Sequence, residues 1–226
     1  MAGTVMHLVI ADRLLDILKI NNPARFYCGN LAPDAIMARK NYVRDMKRHT
    51  HFKDDIRLHE LRLPEKQCIY RERLMNFYHS HVEPEREQKE VYLGYLTHML
   101  VDELYILKFR DEFVDRLIAE GKEPTDETYW AGYPHDVDLV DWEIVRSYKF
   151  KYNMPDILRL NEHYEIEGYI SEEELLDSKE FIIKKNFLTK HEPEEPHMME
   201  MKKNLDFIEL CVREVPKMLR ERFGIG

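Results

Sequence analysis

The chain has 226 residues, 44% of them apolar, enough to bury a sizeable core in one large domain or two small ones. Charged residues make up 34% with both signs mixed, and Gly numbers only eight, a composition that favours helices with solvated faces over disorder. The net charge of −9 argues against stable nucleic-acid binding, which needs an extended basic face.

The first predicted helix covers 5–20, where Met6, Ile10, Leu14 and Ile17 recur at helical spacing and Asn21-Asn22-Pro23 marks the stop. His7 lies on the same apolar arc. Residues 24–33 read as a loop containing Gly29 and Asn30, and Pro33-Asp34 opens a short helix. A strongly basic stretch spans 39–53. Helices follow over 64–81 and over 85–120, the latter striped by Val91, Tyr95, Met99, Leu100, Leu104, Leu107 and Phe113 and ended by Gly121 and Pro124. Residues 125–138 read as polar and irregular. Further helices are expected over 138–152, 171–185 and 197–222, with 191–196 as a connector and Pro216 kinking the last helix. No internal repeat or long low-complexity tract divides the chain. The expectation is all-α, a single helical bundle over 1–226.

The N-terminus lacks the basic start and unbroken apolar run of a signal peptide. No run reaches the roughly 18 apolar residues of a membrane span. Cys28, Cys68 and Cys211 are widely spaced, with no CxxC pair, and suggest neither a disulfide framework nor a thiolate metal site. A cytoplasmic location with no transmembrane segment is expected.

The most informative segment is Gly94-Tyr-Leu-Thr-His98-Met-Leu-Val-Asp102. His98 and Asp102 are four apart on a helix and so share a face with Tyr95 and Met99. A His and an Asp directed into a core need partners, because an unpaired buried carboxylate costs several kcal/mol. A metal ion is one answer, and a mutual His–Asp hydrogen bond is another. His7 on an apolar arc reads as a core histidine or a ligand. Asp34 reads as a helix-start acid or a ligand. His51 in Thr50-His51-Phe52 means little alone. Taken as a set, imidazole nitrogens and carboxylate oxygens without thiolates suit a hydrolytic zinc site, with Mn2+ or Fe2+ as alternatives. Such a site keeps an open position for water.

In order and rough spacing, His7, the Gly29–Asp34 stretch read as Gly-x-x-x-Pro-Asp, His51, and His98-x-x-x-Asp102 resemble the zinc-dependent phospholipase C family over about 1–112. The resemblance implies an all-helical bundle with a zinc cleft and hydrolysis of a phosphodiester or phosphomonoester. It implies one zinc site on Asp34, His51, His98 and Asp102, and a second to which His7 and Asp102 contribute. Asp34 would assist as base. The family's N-terminal tryptophan has no counterpart, since no Trp precedes Trp130. Its third site also lacks a counterpart, since no His stands between His98 and His135. One or two ions are therefore expected.

Arg39, Lys40, Arg44, Lys47, Arg48 and Lys53 crowd the stretch between Asp34 and His51. Arg44, Lys47 and Arg48 are the expected contacts for the phosphate of a small phosphorylated substrate or phospholipid headgroup; a solvated basic face is the alternative. The leading expectation is a metal-dependent phosphoesterase. The competitors are a His-Asp-dipeptide phosphohydrolase on His135-Asp136 and a helical module without activity; a carboxylate di-metal bundle is set aside, because the one Glu-x-x-His spacing, Glu194 to His197, crosses Pro196. His163-x-x-x-Glu167 has ligand spacing but stands far downstream.

Overall fold

The computed structural model describes residues 2–83, 88–110, 117–122, 126–160, 164–197 and 199–225, and of 126–131 the backbone. Helices account for the regular structure among these residues, which otherwise contain an isolated antiparallel bridge between Ile166 and Ile170. The expected all-α class is observed. None of the described helices is long and apolar enough to cross a membrane.

Three helices form the interior. Helix α1 (Thr4–Leu14) buries every residue except Thr4 and Arg13, which are half-buried. Helix α2 (Pro23–Ala35) buries everything from Phe26 onward. Helix α5 (Lys89–Leu104) buries everything from Val91 onward. A helix apolar or enclosed on all sides belongs at a core centre rather than a surface. The polar residues these helices carry inward are therefore unusual, and they include His7, Asn30, Asp34, His98 and Asp102.

The remaining helices cover this interior with one face each. They are α3 (Met46–Thr50), α4 (Pro64–Phe77), α6 (Asp126–Ser147), α7 (Met154–Leu158), α8 (Glu172–Ile182) and α9 (Met201–Phe223). Helix α9 is the clearest case: Phe207, Ile208, Cys211, Val215, Met218 and Leu219 make its buried stripe. Gly224 ends it in the left-handed conformation, with φ 68°. Three helices pass into π turns at their C-terminal ends, α4 over Tyr78–Val82, α5 over Tyr105–Phe109 and α8 over Ile183–Leu188.

Several sequence expectations are corrected. The first helix stops at Leu14, and Asn22 starts the next by capping Arg25 N–H, with Pro23 at the first turn. Residues 24–33 are thus helix, not loop: Gly29 and Pro33 suggested a break, but burial against α5 outweighs both. Residues 126–138 are likewise helical, as part of α6 with Pro134 inside it. The basic stretch 39–53 follows a 3-10 turn (Ile36–Ala38) and contains the short α3. The connector at 191–196 is irregular as expected. Phe113 and Pro124 lie outside the described residues.

Candidate metal centre

The site is set by how closely α2 and α5 approach. A Cβ on Gly29 would stand 1.7 Å from the Val91 carbonyl oxygen, and one on Gly94 would stand 2.2 Å from that of Phe26. The two helices thus touch backbone to backbone, which no residue with a Cβ permits at these positions. One turn beyond this contact His98 Nδ1 lies 2.8 Å from the Asn30 carbonyl oxygen. A carbonyl only accepts, so Nδ1 carries the proton and Nε2 presents a lone pair.

His51 is fixed by parallel logic. Its Nδ1 lies 3.0 Å from Thr50 Oγ1, whose hydroxyl donates to the Pro33 carbonyl at 2.8 Å. With its single proton used there, Thr50 accepts from Nδ1–H and leaves the His51 Nε2 lone pair free. Tyr95 Oη donates to the Thr50 carbonyl, tying the short α3 to α5.

The five sequence-predicted residues converge. His51 Nε2 lies 3.2 Å from Asp34 Oδ1 and 3.7 Å from Asp102 Oδ2. His7 Nε2 lies 3.6 Å from Asp102 Oδ1. The His7 and His98 rings stack at 3.7 Å with planes 3° apart, while His51 meets His98 edge-on at 5.4 Å and 79°. Ligand-type atoms of His7, His98 and Asp102, and again of Asp34, His51 and His98, lie within 4.8 Å of one another. All five are buried; Asp34, 7% exposed, is the one nearest solvent.

Both nitrogens of His7, Nε2 of His51 and His98, Oδ1 of Asp34 and both oxygens of Asp102 are buried with no hydrogen bond. Such groups are rare in a native core, because each loses its hydration without replacement. Asp34 Oδ1 and Asp102 Oδ2 are close to cations, Lys47 Nζ at 2.6 Å and Lys53 Nζ at 3.6 Å, without hydrogen-bond alignment.

The electrostatics keep Asp34 and Asp102 ionised and His51 and His98 neutral. Burial alone would raise Asp34, but Lys47, His51 and His98 outweigh it and hold its carboxylate well below the usual range. Burial likewise opposes the Asp102 charge, and Lys53, His7, His98 and His51 overcome it. Burial pushes His51 down to about 4 and His98 well below its ordinary value. Ionised carboxylates and neutral imidazoles are the forms a metal ion requires. The donor set fits zinc: nitrogen and oxygen ligands, no thiolate, unspent lone pairs, and tautomers fixed at His51 and His98.

Of the cations expected to meet phosphate, Lys47 stands at the centre. Arg48 is at the surface with Asp45, 3.2 Å away, and Arg44 is exposed. Arg39 faces away, paired with Glu174. His135 is exposed near Glu194 and lies within α6, while Asp136 accepts from the His197 and Met199 backbone amides. That carboxylate pins the 191–200 connector, and neither His135 nor Asp136 joins a metal-type group among the described residues. His163 lies outside the described residues. Sequence reasoning did not single out Lys53 from its basic neighbours, nor Asn30 and Thr50 as the groups that orient His98 and His51. The adjacency of Thr50 and His51 was the available signal for one of them.

Fold and site together define an all-helical protein with a buried His/Asp cluster of metal-ligand chemistry. Residues 6–103 match the family model described as zinc dependent phospholipase C, as the sequence resemblance implied, and the match spans all five clustered residues. Comparison with curated proteins and with solved structures gives no match.

Proposed function

We propose that the protein is a zinc-dependent hydrolase of phosphoric esters, with His7, Asp34, His51, His98 and Asp102 forming its metal-binding cluster. The observation that carries this reading is the group of buried, hydrogen-bond-free lone pairs on His51, His98, Asp34 and Asp102. The match to the zinc dependent phospholipase C model over the same segment supports both the metal and the reaction class.

Zinc held there supplies Lewis acidity for a phosphoryl oxygen and lowers the pKa of water towards about 7. The chain's own residues supply the rest. Asn30 and Thr50 keep His98 and His51 in the tautomers that present Nε2. Asp34, ionised and nearest solvent, is the group placed to accept a proton from an attacking water. Lys47, 17% exposed beside Asp34, is placed to bind a phosphoryl oxygen entering from that side. The apolar packing of α1, α2 and α5 excludes water behind the cluster. A small phosphorylated molecule or a phospholipid headgroup is the substrate class this arrangement suits.

The test is hydrolysis of bis(p-nitrophenyl) phosphate and p-nitrophenyl phosphorylcholine by metal-free protein with and without added zinc, with His51→Ala as control. Zinc-dependent turnover that the variant lacks supports the proposal. No turnover in any zinc- or manganese-supplemented sample of folded protein counts against an enzyme.

A further inference from the structure

Asp34 is the member of the cluster nearest solvent, and Lys47 Nζ lies 2.6 Å from its Oδ1. That ion pair closes the base of the loop formed by residues 35–46. Within the loop the Tyr42 amide donates to the Arg39 carbonyl at 2.9 Å, and Asn41 takes the left-handed conformation at φ 63°. The result is a tight turn with Lys40 and Asn41, both exposed, at its tip. Two apolar side chains flank the turn in water, Met37 at 49% exposure and Val43 at 56%.

The charge of the loop opposes that of the chain. Residues 37–48 carry Arg39, Lys40, Arg44, Lys47 and Arg48 against one acid, Asp45, in a chain of net charge −9. Arg39 is held by Glu174 of α8, and Arg48 lies 3.2 Å from Asp45. Lys40 and Arg44 are exposed beside the turn.

Cations alone would suit any polyanion. Exposed apolar side chains among them suit a bilayer, where Met and Val enter the acyl boundary while Lys and Arg stay with anionic headgroups. A nucleic-acid backbone offers nothing to Met37 and Val43, and one short loop is not an extended basic face. The attraction falls off within about 10 Å at 0.1 M salt, so it acts at this loop while the acidic remainder of the chain is repelled. That contrast sets the orientation, with the loop tip towards lipid and the Asp34–Lys47 pair at the loop base behind it.

We infer that the loop 37–46 docks the protein on a bilayer carrying anionic lipid and so brings the Asp34–Lys47 edge of the metal cluster to the headgroups. The docking itself is independent of turnover. Its consequence, that the phosphoester is taken from lipid in a membrane, rests on the hydrolase reading proposed above.

The test is partition of the full chain onto phosphatidylcholine vesicles with and without phosphatidylglycerol. Binding to the anionic vesicles is expected to be at least about tenfold tighter and to weaken as salt is added. One cation near such a surface contributes about fivefold, so Lys40→Glu should lower anionic binding by about fivefold or more. The double variant Met37→Ser/Val43→Ser should lower it by about tenfold. In both variants hydrolysis of soluble p-nitrophenyl phosphorylcholine should be unchanged, and hydrolysis of vesicle lipid should fall with binding. Absent vesicle binding, equal binding to neutral and anionic vesicles, wild-type binding by either variant, or tighter binding to duplex DNA than to anionic vesicles would overturn the inference. None of these touches the hydrolase reading while the soluble ester is cleaved. Vesicle binding that both variants weaken, with neither ester cleaved, would support the docking surface and count against the hydrolase.

Discussion

Two sets of buried carboxylates lie along the same inner helices and are treated in opposite ways. Asp12, fully buried on α1, accepts from Tyr27 Oη at 2.5 Å, Tyr148 Oη at 2.6 Å and the Lys151 backbone amide at 3.1 Å. Asp34 and Asp102 sit among imidazoles and ammonium groups with Asp34 Oδ1 and both Asp102 oxygens outside any hydrogen bond. The first arrangement is finished: donors are matched to acceptors and nothing is left for a ligand. The second has its charge offset by the nearby ammonium groups, and its lone pairs remain available. Burial alone does not mark a functional acid; burial without satisfied hydrogen bonds does.

The comparison predicts opposite phenotypes. Asp12→Ala strands two tyrosine hydroxyls and an amide, and the expected loss is roughly 4 kcal/mol in denaturant unfolding, with zinc affinity of the remaining folded protein unchanged. A loss of zinc affinity in that variant would remove the contrast. Gly94→Ala tests the backbone contact that holds α5 against α2. A methyl 2.2 Å from the Phe26 carbonyl must push α2 from α5, so a loss of about 3 kcal/mol is expected in the same measurement, together with weakened zinc binding. Wild-type stability in Gly94→Ala would show that the helices can separate freely. Asp34→Asn, by contrast, should weaken zinc binding by about a hundredfold or more while shifting metal-free stability by less than about 1 kcal/mol, read by calorimetric titration and by urea unfolding.

A finer prediction concerns Asp141, which caps α1 by accepting from the Val5 and Met6 amides at 3.0 and 3.2 Å. Burial pushes this carboxyl up to about 7, against the pull of those amides. The folded state then holds a proton that the unfolded chain, with an ordinary Asp value of about 3.9, releases. Stability from this group is present at low pH and is lost as pH rises from about 4 towards about 7, by up to roughly 1.4 kcal/mol per pH unit. The difference in unfolding free energy between wild type and Asp141→Asn, measured across that range, should show this slope. A flat difference would mean the helix-start amides hold the carboxylate ionised.

The contrast between finished and unfinished acids also shows what was legible in the sequence. His98 and Asp102 could be placed together because four-residue spacing on a strongly apolar helix leaves little freedom. His7, Asp34 and His51 needed the ordered set and the family resemblance, since each alone has an ordinary structural reading. The helix over 23–35 was missed because Gly29 and Pro33 punctuate it locally, and only the close packing of α5 explains why they belong there. Residues 126–138 were missed for a similar reason, Gly132 and Pro134 lying inside α6. Lys53 could not be distinguished from five other cations in its stretch, because its difference is burial against Asp102, a tertiary fact. Asp12 gave no sequence signal separating it from Asp102; its partners come from Tyr27, Tyr148 and Lys151, distant in the chain.

The central claim is that the hydrogen-bond-free donors around His98 exist to bind a metal ion. It is tested most directly by thermal unfolding of metal-free protein with and without zinc, for wild type and His98→Gln. An ion that binds only the native state adds about 2.7 kcal/mol at a hundred times its dissociation constant, a rise of roughly 5–10 °C in Tm for a chain of this size. The expected result is that rise in the wild type and none in His98→Gln. An unshifted wild type, or an equal rise in both proteins, would contradict the account.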